Sequence, residues 1–180
     1  HDACGVGLIA STNGKKSRKV VEYGINALKA VWHRGAVDAD GKTGDGAGVH
    51  LEIPSDFFAE KIELTGHKHD ESEICVGMVF LPRNNYAAQE NSRTLIESEL
   101  TKSNFSIYGW RQVPVNPKVL GEKANITRPE ITQVLFKHND KNLKDKNLER
   151  KIYESRRKIE KEAIKCALDG FYICSLSSKS

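Results

Sequence analysis

The chain has 180 residues, and its 28 Lys and Arg against 24 Asp and Glu leave a formal net charge of +4. A hydrophobic fraction of 38% with 7% aromatics suffices for one core, is too apolar for a disordered chain, and at this length suggests one domain. The longest apolar run, residues 74–81, is far short of the roughly 20 residues that a membrane-spanning helix needs, so no membrane partner is expected, and the start His1-Asp2-Ala3-Cys4 shows no basic and apolar pattern of a signal peptide. The basic surplus lies in residues 137–162, with ten Lys and Arg against six Asp and Glu. A surplus confined to one segment argues against nucleic acid as a partner.

In chain order, residues 5–10 read as a short apolar strand. Residues 17–32 read as a helix, with Val20, Val21, Gly24, Ala27, Leu28 and Val31 on one face and Ser17 as its N-cap. A Gly- and Asp-rich stretch, residues 35–48, leads into residues 49–53, whose period-2 alternation predicts a half-buried strand with His50 on the polar side. Pro54 stops it, and a short helix through Phe57 and Phe58 follows. Residues 74–81, almost wholly apolar, predict a strand covered on both faces. Residues 86–100 read as a helix, 105–110 as a strand, the segment around Pro114 and Pro117 as a loop, and 131–136 as a strand. Leu148, Ile152, Ile159, Ala163 and Cys166 mark a long charged helix with i, i+4 pairs such as Glu154 with Lys158. Phe171 opens a last strand, followed by Ser175-Leu176-Ser177-Ser178-Lys179-Ser180. An apolar strand so near Ser180 suggests a fragment.

Four cysteines, Cys4, Cys75, Cys166 and Cys174, show no C-x-x-C spacing, so no disulfide framework is expected and a reducing cytoplasm fits. Cys75 and Cys174 read as core residues, and Cys166 as a buried free thiol on a helix face. His67 and His69 in a polar loop make a poor metal site, and Trp110 reads as core packing. Cys4 carries more chemistry. If residues 1–3 were removed, it would hold both a thiol and a free α-amine, whose ordinary pKa of about 7.7–8.0 suits it to accept the thiol proton near neutral pH. Two further features are His33-Arg34-Gly35, where Arg34 offers a planar fork of donors to a terminus or carboxylate, and Thr43-Gly44-Asp45-Gly46-Ala47-Gly48. The last precedes an expected strand, not a helix, so it does not read as a dinucleotide-binding turn; its glycines read as acceptors of positive φ.

Cys4-Gly5-Val6-Gly7, a helix, His33-Arg34-Gly35 and Gly44-Asp45-Gly46-Ala47-Gly48 in that order resemble the class II glutamine amidotransferases, which are N-terminal-nucleophile hydrolases. Within them the chain is most similar to the glutaminase domains of glutamate synthases, with support from Val76-Gly77-Met78-Val79-Phe80-Leu81-Pro82, from Gly109-Trp110-Arg111-Gln112-Val113-Pro114-Val115-Asn116 and from Phe171-Tyr172-Ile173-Cys174-Ser175-Leu176-Ser177-Ser178. The alternatives are another class II amidotransferase, serving glucosamine-phosphate, phosphoribosylamine or asparagine synthesis, and a degenerate non-catalytic interaction domain.

The resemblance implies an α+β fold, a four-layer αββα sandwich of the N-terminal-nucleophile type, truncated at its C-terminal side. Residues 1–3 become a residual propeptide or upstream segment, and residues 4–180 the N-terminal portion of an incomplete type 2 glutamine amidotransferase domain. Cys4 becomes the nucleophile with its own α-amine as base, Arg34 a positioning residue beside it, and Gly5 and Gly35 backbone-shaping neighbours. Glutamine is the implied substrate, and 2-oxoglutarate the acceptor in a downstream synthase domain. An electron-donating subunit or ferredoxin is the implied partner. FMN and an iron–sulfur cluster belong to the whole protein, and no cofactor or metal to this segment. A cytoplasmic location is implied, or a plastid if the source is a photosynthetic eukaryote. The family's Asn-Gly oxyanion pair and its glutamine-clamping Arg and Asp follow the strand that begins near Phe171 and are expected beyond Ser180. Losing one oxyanion donor alone costs roughly 10²–10³ in rate, so the isolated chain is expected to be inactive.

Overall fold

A computed structural model of the chain describes residues 5–69 and 73–180, with the side chain of Arg34 outside that description. Two compact units emerge among the described residues, one of residues 5–51 and 116–128, the other of residues 52–69, 73–115 and 129–180.

The larger unit is an α+β arrangement. Helix α2 (Ser55–Glu63) precedes strand β1 (Cys75–Leu81), helix α3 (Tyr86–Lys102) and strand β2 (Phe105–Gln112). Strand β3 (Glu130–His138), helix α5 (Asp145–Lys165) and strand β4 (Tyr172–Ser177) complete it. The four strands form one antiparallel sheet in the order β2-β3-β1-β4. β1 sits inside the sheet, with Val76 opposite Leu135 on β3 and opposite Ser177 on β4. Its apolar run fits that place, because side chains alternate between two covered faces. Cys75, Val79 and Leu81 join Val134 and Phe136 in a cluster with Ile96 and Leu100 of α3 and with Leu148, Ile152 and Ile159 of α5. Val76 and Leu135 turn the other way, against Phe58 and Ile62 of α2 and against Tyr108. Asn85 caps α3, its side-chain oxygen accepting from Ala88 N at 3.0 Å.

Helix α5 carries exposed charge as expected, but Glu154 accepts from Arg150 at 3.1 Å instead of meeting Lys158. Trp110 packs against the larger cluster and donates through Nε1 to Glu97 at 2.6 Å. Cys75 is buried, whereas Cys166 and Cys174 are exposed, against the expectation of burial for both. The reasons are local. Cys166 is the residue that ends α5, and Cys174 follows the buried Ile173 on a strand, where the next side chain faces the opposite side.

The smaller unit holds helix α1 (Arg18–Ala30), a short 3₁₀ turn (Trp32–Arg34), a second (Pro117–Val119) and helix α4 (Glu122–Thr127). Ser17 caps α1 as the sequence suggests, accepting from Lys19 N at 3.2 Å. The second 3₁₀ turn falls in the segment read as a proline loop, and α4 in residues for which the sequence offered no reading. Residues 5–10 and 49–53 carry no strand, contrary to expectation. Alternation marks which side chains could be covered, but a strand also needs a neighbour to pair its N–H and C=O groups. Among the described residues only Ile53 N finds a backbone partner of this kind, Lys179 O at 2.9 Å, and Val6 and Leu8 stand 98% and 90% exposed.

Candidate active site

The site builds from the end of α1. Val31 closes the helix and the chain turns at once through Trp32–Arg34, with Gly35 N–H donating to Trp32 O at 3.0 Å. A Cβ placed on Gly5 would lie 3.9 Å from Val31 Cγ2. The residue that follows Cys4 therefore stands within van der Waals range of the helix end that leads into Arg34. Cys4 itself lies outside the described residues, as does the side chain of Arg34. A Cβ on Gly35 would meet Trp32 O at 3.4 Å and Asp45 Oδ2 at 3.9 Å, ordinary van der Waals contacts, so its backbone lies against both groups.

Residues 36–45 return on themselves as a narrow hairpin. Asp45 N–H donates to Ala36 O at 3.2 Å, and Ala36 N–H donates to the Asp45 carboxylate at 2.9 Å. Val37 and Gly44 form an antiparallel bridge, and Asp38 N–H donates to Thr43 O at 2.7 Å. At the tip Gly41, with φ 68°, takes the left-handed conformation that a side chain disfavours. The glycines at 44, 46 and 48, read from sequence as positive-φ residues, have no such φ. Gly44 is needed for space instead, since a Cβ there would fall 2.8 Å from Ala36 O.

Asp40 organises the tip. Its carboxylate accepts from Thr43 Oγ1 at 2.6 Å, Thr43 N at 2.7 Å and Lys42 N at 2.9 Å. The Thr43 hydroxyl, then the Thr43 and Lys42 amides, hold its pKa down to about 2 from 3.8. Gly41-Lys42-Thr43 ends like a phosphate-binding loop, but its amides serve Asp40, and no helix follows it. A second segment locks the hairpin tip. Lys123 Nζ of α4 pairs with Asp38 at 2.6 Å, and buried Gly121 leaves no space for a Cβ beside Asp40 Oδ2, Thr43 Oγ1 and Thr43 N.

Sequence reading singled out Arg34, Gly35 and the glycine-rich stretch, but not the parts played by Asp38, Asp40 and Asp45. Asp40 with Thr43 three residues on is a turn signal that was there to be read. Lys123 and Gly121, some 80 residues away, carry no local signal. Among the described residues no group of three His, Cys, Asp or Glu side chains is placed to hold a metal ion, and no helix is long and apolar enough to cross a membrane.

Residues 4–180 match the model of the class-II glutamine amidotransferases, and the chain belongs to that family. Among named relatives, the glutamate synthase [NADPH] large chain of Azospirillum brasilense is 53% identical over 180 residues, covering all of this chain and 12% of that protein. The ferredoxin-dependent glutamate synthase of Pyropia yezoensis is 39% identical over 184 residues, covering 98% of this chain and 11% of that protein. The chloroplastic ferredoxin-dependent glutamate synthase of Spinacia oleracea is 36% identical over 180 residues, covering 99% and 11%. The chain thus spans 11–12% of the length of these relatives.

Proposed function

We propose that this chain forms the nucleophile-bearing part of a glutaminase site, and that the protein it belongs to is a glutamate synthase. The observation that carries the reading is the approach of Gly5, next to Cys4, to Val31 at the head of the Trp32–Arg34 turn. The family match, which begins at residue 4, supports residues 1–3 as a removable segment and residues 4–180 as the start of the catalytic domain. In this reading the second sheet of a four-layer sandwich is completed with residues 5–10 and 49–53, where Val6, Leu8, Val49 and Leu51 are otherwise left exposed.

The chemistry uses Cys4 alone for proton transfer. Its thiol proton passes to its own α-amine, directly or through one water, and the sulfur attacks the side-chain amide carbon of glutamine. The tetrahedral intermediate collapses as the amine returns that proton to the departing nitrogen, releasing ammonia and leaving a γ-glutamyl thioester. Water then cleaves the thioester to glutamate and restores the thiol. Arg34 holds the terminus in place, and Gly5 and Gly35 let the backbone approach. The oxyanion donors and the glutamine clamp are supplied by residues after Ser180. In the whole protein the ammonia meets 2-oxoglutarate, and an FMN and iron–sulfur centre, fed by an electron-donating subunit or ferredoxin, would supply the two electrons of the reductive amination. No described residue is assigned to either centre. The protein works in the cytoplasm, or in a plastid in a photosynthetic eukaryote.

The test is Cys4→Ala in the full-length protein, assayed with glutamine and, separately, with ammonium salt as nitrogen source. Glutamine-dependent glutamate formation is expected to fall by about 10⁴-fold or more, as when a covalent nucleophile is removed, while the ammonium-dependent reaction persists. Retention of glutamine-dependent turnover would refute the assignment.

A further inference from the structure

The Trp32–Arg34 turn and the hairpin that follows meet at Gly35, and two hydrogen bonds fix the two peptide planes on either side of it. The Arg34–Gly35 peptide is held by its N–H on Trp32 O at 3.0 Å. The Gly35–Ala36 peptide is held by its N–H on the Asp45 carboxylate at 2.9 Å. Gly35 has no side chain of its own to restrict rotation, so these two contacts set its φ of −83° and ψ of 149°. One comes from the backbone of the turn. The other comes from a side chain nine residues away, and it is charge-assisted, hence about twice as strong as a neutral bond. Asp45 N–H also bonds back to Ala36 O at 3.2 Å, which closes a two-bond ring between the two residues.

We infer that Asp45 is a positioning residue for the glutaminase site, its carboxylate fixing the Gly35–Ala36 peptide and with it the backbone that carries Arg34. The inference rests on the reading of Cys4 as nucleophile. Asp45 touches no substrate and moves no proton; it acts through Ala36 N–H. A nucleophile that carries its own base draws its rate from geometry, where a misplacement of about 1 Å can cost 10²-fold. Asp40 provides the internal comparison. It orders the opposite end of the same hairpin, through Lys42 and Thr43, and makes no bond to the peptides flanking Gly35.

The experiment uses the full-length enzyme with Asp45→Ala, Asp45→Asn, Asp40→Ala and Cys4→Ala. Glutaminase kcat and KM are measured, together with the rate at which an electrophilic glutamine analogue alkylates Cys4. In D45A, kcat and the alkylation rate are expected to fall by about ten- to a hundredfold with KM for glutamine within about threefold. In D45N, which keeps an oxygen facing Ala36 N–H, both are expected within about threefold to fivefold of the parent. D40A is expected to leave kcat within about threefold. Parental kinetics in D45A overturn the inference. So does an equal loss in D40A and D45A, which would mean that the hairpin matters only as a folded unit. A loss of tenfold or more in D45N overturns it whether or not D45A folds. C4A keeps the two claims apart: turnover in C4A removes the nucleophile reading, whereas an inert C4A beside an unaffected D45A removes only the role of Asp45.

Discussion

Replacing Gly121 by Ala tests how the hairpin tip is locked. The added Cβ would fall 2.5 Å from Thr43 N and closer still to Asp40 Oδ2 and Thr43 Oγ1. Ordinary contacts of these kinds need about 3.4 Å, so either the residue 121 backbone or the tip must retreat by about 1 Å. The neighbour cannot rotate out of the way without loss, because those same Asp40 and Thr43 atoms carry the bonds that close the tip. Overpacking of this kind costs about 1–3 kcal/mol. Expressed locally, at about 1.4 kcal/mol per factor of ten, that is roughly a five- to a hundredfold faster opening. The assay is hydrogen exchange in the full-length protein, read at the Lys42 and Thr43 amides that donate to Asp40. Gly46→Ala is the control, since a Cβ there has nothing within 4 Å and its φ is not positive. Exchange at residues 42 and 43 that is unchanged in Gly121→Ala, or equally accelerated in Gly46→Ala, would refute the steric account.

Two further outcomes follow from titration and burial. Asp40 has its pKa lowered to about 2 from 3.8 by the Thr43 hydroxyl first, then by the Thr43 and Lys42 amides. A depressed carboxyl stabilises the fold above its unfolded value and loses that contribution as pH falls, here between about pH 4 and pH 2. Carboxyl-carbon NMR should show Asp40 titrating well below 3.8; a midpoint at or above that value would remove its role in ordering the tip. Cys75 is buried, and desolvation first, then Glu149 and Glu73, push its thiol pKa up. It should stay unmodified by an alkylating reagent at neutral pH in the folded protein and react once the protein is unfolded, whereas labelling at similar rates in both states would contradict its place in the core.

Where the sequence spoke clearly, it spoke through local pattern. Ser17 before an apolar stripe named the start of α1, whose stripe is nowhere fully buried, and the unbroken apolar run of β1 announced a strand covered on both faces. Where it misled, the deciding fact lay elsewhere in the chain. Residues 5–10, apolar, and residues 49–53, alternating, read like strands yet pair with no described strand, because such patterns record burial and not the hydrogen-bonding neighbour at the edge. Glu154 has a basic residue four positions away on both sides, Arg150 and Lys158, so spacing alone cannot choose between them. The site shows the same division. Arg34 and Gly35 stood out by type and order, while the pairing of Asp38 with Lys123 spans 85 residues and could not be read from either end.

The hairpin itself argues against equating glycine with flexibility. Three aspartates restrain it in three ways: Asp38 by an ion pair, Asp40 by three bonds within the tip, and Asp45 by a bond to the Gly35–Ala36 peptide. Gly44 is small because the Ala36 backbone passes where a Cβ would go, Gly121 because the Thr43 and Asp40 side chains and Thr43 N do, and within the hairpin only Gly41 is there for its φ. Glycines lose the most conformational freedom on folding, so a stretch this rich in them is costly to order unless other groups offset the loss. The aspartate bonds are placed to do that. Such an arrangement suits the proposed chemistry: with nucleophile and base on one residue, the surrounding chain has no proton relay to build and must instead hold Cys4, Arg34 and the incoming amide in one geometry. Substitutions that leave every side chain of the reaction intact but free the Gly35 backbone should therefore act on kcat more than on glutamine binding.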